Sequence, residues 1–235
     1  MRRICRYLPL FFLLLFCIQF AGAQSSFDLN LGFGAVQAKS TGAGIEGDFS
    51  GANSANFLGA CKLGSTPTCA PTPKLHGFAL GFGGNLMLKK HFGVGIDVLL
   101  QPCKEDYGVF PATSTQTAYK DQTRTMFYTF DGIYSPVSSK RYSVRLAGGF
   151  GGANTKFYIN QTTGTTLTGT SNSSQLLSSA NHFQLHGGIG VEIFVSEHMF
   201  LRPQFDIHYV PNFNQFGENL VKSEMVWVGY SWGDR

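Results

Sequence analysis

The residues with the most chemistry to offer are His186, His208 and Asp206. Two imidazoles and a carboxylate on neighbouring segments could pass a proton between them as a general acid and base. Nothing beside them is marked as a nucleophile, so these histidines read better as polar filling for the inside of a fold than as a catalytic pair. A wider set, Asp28, Asp97, Asp131, Arg145, Glu192, Arg202 and Asp206, shares one property developed below: each falls on the less apolar face of its segment. Metal chemistry has little support, because the six histidines are scattered and Cys61, Cys69 and Cys103 make no paired CxxC framework. The run "AGGFGGA", with Gly148 to Gly152, lies inside a strand-like segment, where close packing explains the glycines better than a phosphate-binding turn does. No dedicated cofactor is expected.

The elements that carry these residues are strands. The chain has 29 Gly and 22 Phe with only 14% charged residues, and helical heptads of Leu, Ala, Glu and Lys are missing. A period-two alternation fits segment after segment: Phe27 to Gln37, Leu75 to Lys89, Phe92 to Gln101, Arg124 to Tyr134, Arg141 to Phe157, His182 to Val195, Met199 to Tyr209 and Val221 to Trp232. Three connections are short: Lys89-Lys90-His91, Ser135 to Lys140 and Ser196-Glu197-His198. The other four, residues 38–74, 102–123, 158–181 and 210–220, are longer and rich in Ser, Thr, Gly and Asn. Short and long alternate strictly, which places all tight turns at one end of an all-β, antiparallel, up-and-down sheet of eight strands. Closure into a barrel removes its exposed edges.

Residue parity sets the orientation of the faces. In the sixth segment Phe183, Leu185, Ile189, Val191, Ile193 and Val195 oppose His182, Gln184, His186, Gly188, Gly190 and Glu192; in the seventh, Leu201, Phe205, Ile207 and Tyr209 oppose Arg202, Gln204, Asp206 and His208. The first and third segments split the same way. A soluble barrel would keep the apolar face inside, but its outer face would then be crowded with glycine where Lys, Glu and Thr belong. The reverse arrangement accounts for both faces: small and charged residues fit a narrow lumen, and a belt of Leu, Ile, Val and Phe meets lipid. Phe92, Tyr142, Phe200, Tyr209, Tyr230 and Trp232, near segment ends, suit interfacial girdles.

The N-terminus agrees with export. Arg2, Arg3 and Arg6 precede an apolar run from Leu8 to Phe20 that ends in Ala21-Gly22-Ala23, which reads as a cleaved signal peptide over residues 1–23, leaving a barrel domain of 24–235. A lipoprotein signal ending at Cys17 is the alternative, disfavoured by Phe16 where such signals carry a small residue. The leader holds three of the 18 basic residues and none of the 14 acidic ones, so the remainder is 15 against 14. That near-neutral balance offers no basic face for nucleic acid. No later apolar stretch is long enough for a spanning helix.

The leader, the eight alternating segments and endings such as "VWVGYSW" resemble the outer membrane protein beta-barrel family, which includes OmpA-type and OmpX-type barrels, across residues 24–235. "MFLRPQFDIHYV", Met199 to Val210, is similar to the penultimate strand of that family. The resemblance implies a Gram-negative-type outer membrane with lipopolysaccharide around the belt, tight turns in the periplasm and long loops outside. It also implies a C-terminal aromatic read by the barrel insertion machinery. Trp232 has the right parity, although Gly233-Asp234-Arg235 follow it.

In such a barrel the seven charges, with His186 and His208, would line the lumen. They would form either a selective path or binding site, or a salt-bridge network that plugs a narrow bore. The plug is favoured, in a structural or surface-adhesive protein whose loops meet an extracellular ligand. A small pore and a lipid-modifying barrel enzyme are the alternatives; a lipid A deacylase-like site would need His-x-Ser, which does not occur. Cys61 and Cys69 bracket "KLGSTPT" in the first long loop and are expected to bridge there, with Cys103 as the odd thiol. "NQTTGTTLTGTSNSSQ", Asn160 to Gln175, is expected to be a mobile solvated loop.

Overall fold

The computed structural model describes residues 26–38, 44–47, 57–61, 69–71, 75–110, 117–165, 169–213 and 218–233; the expected leader lies outside them. Among the described residues twelve strands run in chain order: β1 (Ser26–Ala38), β2 (Gly44–Gly47), β3 (Phe57–Cys61), β4 (Cys69–Pro71), β5 (Leu75–Lys89), β6 (Phe92–Leu100), β7 (Glu105–Phe110), β8 (Thr117–Ser138), β9 (Tyr142–Thr165), β10 (Gly169–Phe194), β11 (Met199–Tyr209) and β12 (Leu220–Trp232). Eight of them pair in the order β6-β5-β1-β12-β11-β10-β9-β8, and β6 pairs with β8 to close the ring. Every pairing in the ring is antiparallel, and the first and last barrel strands meet from Phe27↔Trp232 to Gln37↔Lys222.

The short turns are closed by their own polar groups. Ser139 donates both its backbone N–H (2.9 Å) and its hydroxyl (3.0 Å) to the Tyr142 carbonyl. At the β10–β11 turn the Ser196 hydroxyl accepts from the Met199 N–H at 3.0 Å, while the Val195 N–H reaches the Met199 carbonyl at 2.9 Å. Serine at these positions satisfies backbone groups that a two-to-four-residue reversal would leave open.

The strands reach further than alternation predicts. The long connection 158–181, within which Asn160 to Gln175 is expected to be a mobile loop, is largely the outer arms of β9 and β10, paired from Leu176↔Tyr158 out to Gly169↔Thr165. The 102–123 connection likewise contains β7 and the first paired residues of β8, and the first long loop holds the small sheet β3-β2-β4. The physical reason is that these arms carry little apolar alternation: Asn172 to Leu176 on β10 are exposed at every position, and the buried inner face of the β8 arm is polar, with Asp121 and Thr123. Thr, Tyr and Ile still favour extended backbone there.

The small sheet also bears on the expected cysteine bridge. β2 lies between the two strands that carry the cysteines, with Gly44 opposite Cys61 and Glu46 opposite Cys69. Two strand spacings of about 4.8 Å put the cysteine backbones about 9.6 Å apart before any offset along the strand, beyond the roughly 7 Å Cα reach of a disulfide. The expected Cys61–Cys69 bridge would have to span that intervening strand. Cys103 is free and exposed.

Outward and inward faces separate as parity predicts. Phe27, Leu29, Leu31 and Phe33 on β1 are 43–60% exposed, as are comparable residues on every barrel strand, while Asp28 and Asn30 between them are buried. A contiguous apolar surface of this extent is untenable in water and suits an acyl-chain environment. Among the proposed girdle residues Phe92, Tyr142, Tyr209, Tyr230 and Trp232 do face outward, with Trp232 stacked on Phe27 at 5.8 Å. Phe200 does not: it points into the lumen and is fully buried, its ring seated where Gly229 offers no side chain.

Candidate functional site

The lumen is where the chain concentrates its unusual groups, and its two halves differ. The half nearer the short turns is ionic. All seven charges singled out by parity, Asp28, Asp97, Asp131, Arg145, Glu192, Arg202 and Asp206, are buried there together with His186, and His208 lies at its upper edge. Each is delivered by an inward position on a different part of the ring, and facing glycines provide the room. A Cβ on Gly95 would sit 2.7 Å from the Asn85 amide oxygen and 3.2 Å from the Arg145 guanidinium, so this close approach requires glycine.

His186 is the hub. Its Nδ1 lies 2.7 Å from Asp131 Oδ1 and its Nε2 lies 3.2 Å from Asp206 Oδ1, a geometry in which only the doubly protonated ring donates to both carboxylates. Asp206 also accepts from the Gln204 amide at 2.7 Å and the Ser223 hydroxyl at 3.3 Å; Asp131 accepts from the Thr129 hydroxyl at 2.9 Å. The two arginines are held more loosely, Arg145 at 3.6 Å from Asp97 and Arg202 at 3.4 Å from Glu192. Side-chain atoms of Asn30, Asn85, Asp97 and Arg145 keep hydrogen-bonding capacity that no protein group uses, which water entering from the turn end can satisfy. That end opens into a small polar cavity of about 40 Å³ lined by Ser26, Asp28, Asn85, Lys89, Arg145 and Glu192.

The other half is a hydrophobic core inside the bore, which the expected uniformly polar lumen does not include. Val36, Leu75, Ala79, Leu99, Phe127, Ala153, Val210, Phe213, Val221, Met225 and Trp227 form one buried cluster. Trp227 fills a slot cut by two glycines, since a Cβ on Gly32 or on Gly81 would collide with its indole. The halves meet through stacked rings: Phe127 on His208 at 5.0 Å, then His208 on His186 at 4.9 Å. Arg202 completes the join, its guanidinium 5.2 Å from the Trp227 ring and 5.9 Å from Phe200.

Chemically this arrangement can bind protons and water and can bar a path. His186 and His208 do lie together with Asp206, but the Ser223 hydroxyl 3.3 Å from His208 Nε2 is itself bonded to Asp206 and buried, away from any substrate path. Among the described residues no group of His, Cys, Asp and Glu is arranged to hold a metal ion. The apolar plug had a sequence signature that period-two reading passes over. Met126-Phe127-Tyr128, Val98-Leu99-Leu100 and Val226-Trp227-Val228 are apolar triplets inside alternating strands, and in each the middle residue is the inward one.

Comparison with known proteins follows this architecture. The sequence profile of the "Outer membrane protein beta-barrel domain" family matches residues 8–233. No curated protein sequence matches the chain. Among solved structures, the attachment invasion locus protein Ail of Yersinia pestis is similar at 10% identity over 89% of this chain and 99% of its own, with a TM-score of 0.48. A major outer membrane protein of Thermus thermophilus gives 12% identity, 88% and 99% coverage and a TM-score of 0.47. OprG of Pseudomonas aeruginosa gives 13%, 90% and 99%, and 0.43. The family match spans nearly the whole chain, and with it the closed ring, outward apolar belt and filled lumen: this chain belongs to the outer membrane protein beta-barrel family, as an integral barrel of the outer membrane.

Proposed function

We propose that the protein is a sealed barrel that anchors an adhesive sheet at the cell surface, and that it neither conducts nor catalyses. The observation that carries this reading is the unequal height of the strands. β8, β9 and β10 continue as a paired sheet well past the belt, whose outer boundary on β8 and β9 is set by the exposed, register-paired Arg124 and Lys156. β11 pairs with β10 only up to Leu185↔Tyr209, so among the described residues the outer arm of β10 from Gly169 to Gln184 has strand partners on one side only. An open edge rich in Ser, Asn and Gln offers backbone and side-chain hydrogen bonds to an extended partner, the general mode of strand addition.

The sealed lumen supports the remainder of the reading. Ions would have to cross the apolar cluster that includes Val36, Phe127 and Trp227, and such a dry segment opposes conduction even where the neighbouring half is wet. Lipopolysaccharide around the belt and the barrel insertion machinery acting on the β12 end are the partners this reading entails.

Two measurements test it. Refolded protein in planar bilayers should show no steady single-channel current; a reproducible open level would replace this reading with the pore. Cells carrying a version with residues 158–181 replaced by a two-residue turn should keep a heat-modifiable barrel and lose attachment to host-cell or matrix surfaces. Attachment equal to that of the full chain would remove the adhesive role.

A further inference from the structure

The turn end of the barrel carries an uneven charge. Lys89 and Lys90 in the β5–β6 turn and Lys140 and Arg141 in the β8–β9 turn are all exposed, and none is ion-paired among the described residues. Because β6 pairs with β8, these two turns are neighbours on the ring. The β10–β11 turn, across the ring from the β5–β6 turn, carries Glu197 and no Lys or Arg. Four cations therefore gather on one side of the rim.

Directly outward of that side the lipid-facing wall is indented. A groove of about 530 Å³ runs over β5, β6 and β8, floored by Gly84, Val94 and Gly132 and walled by Leu86, Phe130 and Phe150. Internal packing does not demand the glycine at its centre, because a Cβ on Gly132 would meet nothing nearer than the Gly148 carbonyl oxygen at 3.7 Å. Between groove and turns stand Phe92 and Tyr134, directly paired in register with ring centroids 5.0 Å apart, a pair suited to the level where acyl chains give way to headgroups. Apolar groove, aromatic pair and cation cluster thus follow one another along the membrane normal in the order of the parts of a phospholipid: chain, glycerol ester and phosphate.

We propose that this face is a binding site for an anionic glycerophospholipid of the periplasmic leaflet, its headgroup at Lys89, Lys90, Lys140 and Arg141 and an acyl chain in the groove over Gly132. Zwitterionic lipid fits the groove equally but leaves the four cations without a net countercharge, so the site discriminates by headgroup charge. The proposal rests on the reading that the short turns face the periplasm, and the test separates the two.

Folded mature protein in detergent is equilibrated with equimolar phosphatidylglycerol and phosphatidylethanolamine, and bound lipid is read by native mass spectrometry, with heat-modifiable migration verifying that each variant is folded. The wild type should retain phosphatidylglycerol in preference. Replacing Lys89, Lys90, Lys140 and Arg141 with Gln should erode that preference by about fivefold per cation removed. Gly132→Leu, which fills the groove, should lower retention of both lipids. Equal retention of the two lipids by the wild type, or an unchanged preference in the quadruple variant, overturns the headgroup site; unchanged retention in Gly132→Leu overturns the groove. Separately, Lys140→Cys, made in a chain whose Cys61, Cys69 and Cys103 are replaced by Ser, is probed on intact cells with an impermeant maleimide. Labelling only after the outer membrane is permeabilised supports the periplasmic placement; labelling of intact cells overturns that placement while leaving the lipid chemistry measured in detergent standing.

Discussion

The two halves of the lumen are built from the same strands and solve the same packing problem with opposite materials. In the half next to the short turns, glycine faces charge, and carboxylates are shared among His186, Arg145 and Arg202. In the other half, glycine faces tryptophan, and Val36, Leu75, Phe127 and Met225 fill what remains. The comparison teaches that tightness and polarity are separable. The ionic half is satisfied partly by its own groups and partly by solvent, so it fixes the relative positions of strands but leaves room for water. The apolar half excludes water by shape and so carries the seal.

The largest effect expected from breaking that division comes from Trp227→Ala. Loss of a fully buried indole should cost about 3–5 kcal/mol of unfolding free energy in denaturant titrations of the vesicle-inserted barrel, and it should open a measurable leak. Asp206→Asn strikes the other half. It keeps shape but removes the charge that His186, Gln204 and Ser223 address, with an expected loss of about 1.5–3 kcal/mol and no leak. Equal conductance from the two variants would end the assignment of the seal to the apolar half. Gly32→Ala tests the slot, because the new methyl group meets the Trp227 indole; about 1–3 kcal/mol is expected, recovered in part by combination with Trp227→Phe.

The smallest effect lies outside the belt, on the protruding sheet. Asp121 faces inward on β8 above Arg124, fully buried, and burial pushes its carboxyl up to about 7 from an ordinary 3.8. A carboxyl raised in the folded state leaves the unfolded chain binding fewer protons across that window. Stability of this arm therefore falls as pH rises from about 4 to about 7 and levels off above. Amide protection in the outer arm of β8, taken relative to the intrinsic exchange rate at each pH, should fall over that range, and Asp121→Asn should flatten the response.

Fold and site were legible in the sequence to different depths. Alternation across β1, β6, β10 and β11 located the ring, and because side-chain parity is fixed by strand geometry the inward set from Asp28 to Asp206 followed directly. The outer arms of β9 and β10 were not legible, because their runs of Ser, Thr, Asn and Gln give no hydrophobic period to read. The plug was missed because an inward Trp227 or Phe127 flanked by outward apolar neighbours looks like uninterrupted grease, and only pairing shows which member of the triplet points in. Phe200 was misassigned to a girdle for the same reason. Sequence spacing does not reveal an intervening strand such as β2, which lies between the strands of Cys61 and Cys69.

Trp227 rides on the C-terminal strand, while its slot is cut into β1 and β5 at the other end of the chain. Stitching the seam therefore also seats the indole, so closing the wall and filling this slot are one and the same contact.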